Sequence, residues 1–249
     1  MTNTYIITGG SKGIGLAVVE RLLRDGNAVI CLSRTSGSLP IENSRLKFIE
    51  CDLGNSDTRQ QAFRLALEDQ ESLAGIVNNC AGPSPLSFEH SGIQDYQDAL
   101  NTHLFAADEL LRVSLPALQK FNGSKIVNIV SVTARSPLEG LISSNLLRGA
   151  IINWSKTLSI ELAKFNINVN NVLPGYTLTS RLQEVLTKKA TSSQASLENV
   201  KQSLLKDIPL KRFGTPQEIA NVVNFLLSSE ASYITGTSIP VDGGWTRSV

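Results

Sequence analysis

Short apolar runs alternate along this chain with longer stretches in which apolar residues recur every three or four positions. The runs fall near residues 4–8, 28–33, 46–50, 73–78, 125–131, 167–173 and 237–240. "YIITG", "AVICLS", "GIVNN" and "KIVNIVS" are apolar nearly throughout rather than alternating, as expected of parallel strands covered on both faces. Helical spacing predicts helices near 13–25, 57–69, 92–120, 142–165 and 215–228. "GTPQEIANVVNFLL" carries start signals: Thr215 as N-cap, Pro216 at the first helical position and Glu218 in a capping box. The alternation predicts right-handed βαβ units and one doubly wound α/β sheet. The polar segment 187–206, "TKKATSSQASLENVKQSLLK", breaks the pattern. It reads as a helical insert or lid over a cleft, or as a solvated surface helix.

Composition narrows the picture modestly. With 249 residues and 41% hydrophobic content, the chain suits one α/β domain over 1–249. A net charge of +1 argues against nucleic acid or an anionic membrane as partner. No apolar run approaches the roughly eighteen residues of a membrane span. "MTNTYIITGG" lacks a basic stretch before its apolar run, and Cys31, Cys51 and Cys80 fit no CxxC spacing. Both features predict a cytoplasmic protein with reduced thiols buried as small core residues. The two histidines, His90 and His103, add no metal-ligand spacing, so no metal is expected.

Chemistry enters at "TGGSKGIG", residues 8–15, between the first strand and the first helix. Glycines let backbone N–H groups approach a phosphate, and a helix N-terminus favours negative charge. Gly9, Ser11, Lys12, Gly13, Ile14 and Gly15 are therefore candidate cofactor contacts. About twenty residues on, folds that bind NAD place an acid against the ribose 2′-hydroxyl. Here the second strand ends in Ser33 and Arg34, with no carboxylate. Lys12 and Arg34 suit a 2′-phosphate, which favours NADP(H) over NAD(H); the alternative is two solvated surface charges.

Taken together, these motifs resemble the short-chain dehydrogenase/reductase family over nearly the whole chain, and most of all its 3-oxoacyl-thioester reductase branch. The resemblance implies a Rossmann-like sheet of seven strands in the order 3-2-1-4-5-6-7, helices on both faces, a small-molecule substrate and a homotetramer or homodimer. "CDLGN" is similar to the adenine-contacting segment, implying roles for Asp52 and Leu53. "NNCAG" is similar to the family's N-N-A-G motif, implying that Asn79, Ala81 and Gly82 line the cofactor. "PGYTLT" is similar to its P-G turn, implying contacts from Pro174, Gly175, Thr177 and Thr179. The family's catalytic tetrad is Asn-Ser-Tyr-Lys. Ser131 stands at the serine position and Asn101, in "ALNTH", resembles the asparagine, although it also reads as an ordinary polar helix residue. The tyrosine and lysine positions fall on Ser144 and Arg148. None of the four tyrosines, Tyr5, Tyr96, Tyr176 and Tyr233, lies near enough to restore the pattern. "SNLLR" resembles a minority group of the family.

These replacements change the chemistry expected. A phenol, of free pKa about 10, is a usable acid once nearby cations lower it; a serine hydroxyl is not. A guanidinium keeps its proton. Two hydroxyls and a fixed cation can still stabilise an oxyanion, at ~2.7–4 kcal/mol per donor, and Arg148 can also bond the nicotinamide ribose. Three outcomes are open: ketone reduction with the proton from water or Tyr176, unless that ring is simply an aromatic wall; conjugate reduction of an enone through an enolate; or nucleotide binding without turnover, as a sensor or scaffold. The substrate itself is not readable; segment 187–206 and residues 83–88 are expected to select it.

Overall fold

The runs lack alternation because both faces of the sheet are covered: Ile6, Ile7, Leu32, Val77, Ile126 and Val169 are all fully buried. The computed structural model describes residues 2–247. Strands β1 (Thr4–Thr8), β2 (Ala28–Ser33), β3 (Leu46–Glu50), β4 (Gly75–Asn78), β5 (Lys125–Ile129), β6 (Asn168–Pro174) and β7 (Ser238–Val241) form one parallel sheet in the order β3-β2-β1-β4-β5-β6-β7. The helices are α1 (Gly13–Arg24), α2 (Ser56–Leu67), α3 (Ile93–Leu100), α4 (Ala106–Lys120), α5 (Ile142–Glu161), α6 (Ser180–Ser192), α7 (Leu197–Asp207) and α8 (Pro216–Leu227). Val18, Val19 and Leu22 of α1 and Ile219, Val223 and Leu226 of α8 cover one face. Phe63 of α2 and Leu110 and Leu118 of α4 cover the other. The strand order reverses between β1 and β4, and the cleft opens there, beyond the carboxyl ends of the strands.

Three differences from the sequence reading have physical causes. The helix expected over 92–120 is broken by a π-type turn at Asn101–Phe105. Arg59 Nη1 reaches both the Asn101 carbonyl, at 3.3 Å, and Leu53 O, at 2.9 Å, tying the turn to the end of β3. The insert expected over 187–206 begins earlier, at Ser180. Thr179 caps α6 by accepting from Leu182 N at 3.3 Å. Leu182, Leu186, Val200 and Leu204 then bury against Ile208 and Phe213, so the segment is two packed helices with their own small core. Helix α5 ends at Glu161, followed by a 3₁₀ turn at Ala163–Phe165. The capping box of α8 is as expected, with Glu218 N donating to Thr215 Oγ1 and Thr215 N to Glu218 Oε2.

Candidate active site

The glycine loop is held open from below by Asn79. Its Nδ2 donates to Gly9 O at 2.8 Å, and its N–H donates to Thr8 Oγ1 at 2.9 Å. Gly9 sits at φ 61°, where a Cβ would lie 2.6 Å from Asn79 O; a Cβ on Gly15 would lie 2.2 Å from Gly9 O. Only glycine fits this cradle, which is what close approach to a pyrophosphate requires. Gly13, at φ 55°, faces the Thr179 methyl at the start of α6. Ser11 is buried, and its carbonyl accepts from Ser38 N at 3.3 Å. Ile14 is half-buried against the core.

Further along the cleft, Asp52 Oδ1 accepts from Gly54 N at 3.0 Å, fixing a turn beside buried Leu53. Ser33 is buried, and its hydroxyl donates to Thr35 O at 2.8 Å. Lys12 and Arg34 are exposed, and neither forms an ion pair among the described residues. Ala81 is exposed and Gly82 half-buried. A Cβ on Gly82 would sit 3.4 Å from Arg148 Nη2, so the guanidinium lies against this backbone. Gly175 abuts Asp242, with a Cβ position 2.7 Å from its Cβ, and follows buried Pro174. Thr177 Oγ1 donates to Gly175 O and Thr179 Oγ1 to Thr177 O; both hydroxyls are committed to the turn and keep only acceptor capacity. The glycine cradle, the free cations and Arg148 together fit a dinucleotide.

At the reacting end, Ser131 Oγ accepts from Thr133 N at 3.2 Å and from Thr133 Oγ1 at 3.1 Å. Its own proton is free to be donated. Ser144 is half-buried on the first turn of α5, where the helix dipole favours negative charge. Asn145 closes the preceding loop, donating from Nδ2 to Leu138 O at 2.8 Å. Arg148, one turn further along α5, is buried with only a 3.5 Å bond to Ile129 O. Burial lowers its pKa to about 10, so it remains a cation at neutral pH.

Two candidates lie elsewhere than the sequence suggested. Asn101 turns away from the cleft: its Oδ1 accepts from Arg59 Nη1 at 2.8 Å and its Nδ2 donates to Gly54 O at 2.8 Å. Within the π turn it is His103 that lines the cavity with Arg148. Burial and the neighbouring Arg148 lower this imidazole to about 3, so it is neutral. Tyr176 packs on the turn after β6 with its ring tilted against Phe213 at 6.1 Å and edge-on to Trp245 at 6.2 Å. Burial, then Asp207, pushes its phenol up, making it a weaker acid. Sequence reasoning also missed Arg59, buried and bidentate to Glu109 at 2.7 and 2.6 Å. Its place in line with Ala62, Phe63 and Ala66 on the apolar face of α2 was the available signal. Cys80 lines the same cavity as His103, and burial pushes its thiol up against the pull of Arg148 and Arg34.

A family model described as Enoyl-(Acyl carrier protein) reductase matches residues 9–246. The 3-oxoacyl-[acyl-carrier-protein] reductase MabA of Mycobacterium tuberculosis is 31% identical over 244 residues, covering 98% of this chain and 93% of that protein. A short chain dehydrogenase family protein from Francisella tularensis superposes with a TM-score of 0.92 at 32% identity, covering 100% of both chains. The chain belongs to the short-chain dehydrogenase/reductase family. It is thus an oxidoreductase of a family that binds nicotinamide cofactors, and its sheet has the family's strand order. An NADPH-bound short chain oxidoreductase from Pseudomonas aeruginosa, described as containing an atypical catalytic center, superposes with a TM-score of 0.86 at 26% identity, covering 99% of this chain and 98% of that one. No helix among the described residues is long and apolar enough to cross a membrane, and no group of ligating side chains among them could hold a metal ion.

Proposed function

We propose that this chain is an NADP(H)-dependent reductase of the minority group with Ser and Arg in place of Tyr and Lys. In this reading it reduces a conjugated carbonyl compound, small or acyl-type, through an enolate held by Ser131, Ser144 and Arg148. One observation carries the reading: none of His103, Arg148 and Tyr176 is an acid near neutrality. His103 is already neutral, Arg148 keeps its proton, and the Tyr176 phenol is raised and packed among aromatic rings. When bound, NADPH supplies the hydride. Ser131 and Ser144 donate hydrogen bonds to the substrate oxygen, and Arg148 places fixed charge beside it, each donor contributing ~2.7–4 kcal/mol at the transition state. An enolate oxygen is a far weaker base than an alkoxide because its charge is shared with carbon. It needs donors rather than an acid, and solvent protonates the carbon.

Lys12 and Arg34 support NADPH as the cofactor, as does the NADPH-bound Pseudomonas aeruginosa relative. Arg34→Asp is expected to weaken NADPH roughly tenfold or more, one lost charge-assisted contact, and to leave NADH nearly unchanged. Equal losses in a fluorescence titration would remove the 2′-phosphate contact. Exposed Val113, Leu146 and Ile160 on α4 and α5 support self-association as a homotetramer or homodimer.

The test of the reaction is NADPH oxidation on paired substrates, each ketone beside its conjugated enone. Only the enones are expected to turn over, and Ser144→Ala should lower their kcat by about tenfold or more. A second reading, carbonyl reduction, is favoured by the loop after β4. There Ser87 Oγ lies 2.8 Å from His90 Nδ1, and Leu86 O accepts from Ile142 N at 3.2 Å, docking the loop on the first turn of α5. An imidazole so placed is a candidate proton donor to a carbonyl oxygen. Ketone turnover that His90→Gln abolishes would establish that reading. Tight NADPH binding with no turnover of either substrate would leave a sensor.

A further inference from the structure

Asn78, Asn128, Asn171 and Ser238 occupy one register row across β4, β5, β6 and β7. Their side chains form a chain of hydrogen bonds that all donate the same way. Asn78 Nδ2 donates to Asn128 Oδ1 at 2.7 Å, Asn128 Nδ2 to Asn171 Oδ1 at 3.1 Å, and Asn171 Nδ2 to Ser238 Oγ at 3.0 Å. An anchor on α5 sets this polarity. The Ser155 hydroxyl spends its proton on Ile151 O, at 2.7 Å, and so can only accept from Asn128 Nδ2, at 2.9 Å. The Asn128 carbonyl must then face Asn78, and Asn78 must donate to it. Each amide dipole is aligned with the next, an arrangement in which hydrogen bonds strengthen one another.

The head of the row is left open. Asn78 Oδ1 is buried without a hydrogen-bond partner among the described residues, and so is Arg148 Nε. Both residues line one cavity of about 30 Å³ under the cleft, together with His103 and Cys80. Such a space holds at least one ordered water. The two orphans are complementary: an acceptor and a donor, which a single water satisfies by donating to one and accepting from the other. Arg148 is a buried cation with no carboxylate on it, a costly state unless something compensates. The geometry points to one bound water bridging Asn78 Oδ1 and Arg148 Nε, with the asparagine row, polarised from Ser155, presenting its carbonyl end to the guanidinium. Asn78, Asn128 and Ser155 are then positioning residues for Arg148. The inference leans on the proposed function only for what Arg148 serves.

Its test needs neither cofactor nor turnover. Thermal unfolding of the apo protein is measured for Asn78→Leu, Asn78→Asp, Arg148→Met and Asn78→Leu/Arg148→Met. Stranding the guanidinium in Asn78→Leu is expected to lower Tm by about 5 °C. Removing the cation as well should restore part of that loss, the remainder being the Asn128 Oδ1 left without its donor. Asn78→Asp keeps the acceptor toward Arg148 but loses the donor toward Asn128 Oδ1, so it should recover only part of the loss seen in Asn78→Leu. A crystal structure of the apo protein should show one water within hydrogen-bonding distance of both atoms. A double variant less stable than either single one would mean that the row merely packs the sheet and would overturn the inference. So would a dry cavity, or an Asn78 with Nδ2 facing Arg148. Turnover with additive losses would sink this inference alone, whereas coupling in a protein inert toward enones would sink only the proposed reaction.

Discussion

Arg148→Met is expected to lower kcat/KM on an accepted enone by about 100-fold or more without lowering the melting temperature. The loss follows from removing fixed positive charge beside a developing oxyanion, where one well-placed donor is worth a factor of roughly 100 to 1000. Stability should move the other way or stay put. Burial pulls the guanidinium down to about 10, so the folded chain bears the cost of a buried charge at every pH below about 10. That cost is relieved only as pH rises through the range between the folded and unfolded values. Methionine fills similar space without the charge, and replacing a buried ion by an apolar group is commonly neutral or stabilising. Parallel kinetics and calorimetry check this. A stable variant with wild-type rates would take Arg148 out of the chemistry, and a collapsed one would make its role structural.

The second large effect concerns the glycine loop. Gly15→Ala is expected to weaken NADPH by about 100-fold, or about 2.7 kcal/mol. The new Cβ would lie 2.2 Å from Gly9 O and 2.7 Å from Asn79 Nδ2. Both are backbone or tightly held atoms, so the loop must shift and the Asn79–Gly9 bond must break. Gly149→Ala, beside Arg148 on α5, is the control. A Cβ there meets nothing within 4 Å, and alanine should stabilise the helix by up to about 1 kcal/mol. Isothermal titration with NADPH separates the two; equal affinities would mean that the cradle does not hold the pyrophosphate.

What could be read from the sequence follows from how local each signal is. The strands lay within two or three residues of their predicted ends because apolar runs such as "AVICLS" declare burial directly. The glycine loop was legible because only glycine tolerates the φ of Gly9 and the contact at Gly15. That His103 rather than Asn101 lines the cavity was not. It depends on a π turn whose carbonyl is held by Arg59, 42 residues away in sequence, and residue type favoured the asparagine. The insert was placed late for a similar reason. Its first turn is capped by Thr179, and its apolar face packs on Phe213, contacts invisible in a segment whose composition is polar. The phenol of Tyr176 was in plain view, but only its neighbours Phe213, Trp245 and Asp207 show how poorly it would serve as an acid.

The account rests on a site in which hydroxyls and a fixed cation take the place of a titrating acid. The pH dependence of kcat/KM on an accepted enone at saturating NADPH tests that most directly. Arg148 is charged below its pKa, so the rate should be level from about pH 6 to about pH 9 and fall only as pH rises through about 10. A rate that falls between about pH 6 and about pH 8, as a histidine acid loses its proton, would contradict it.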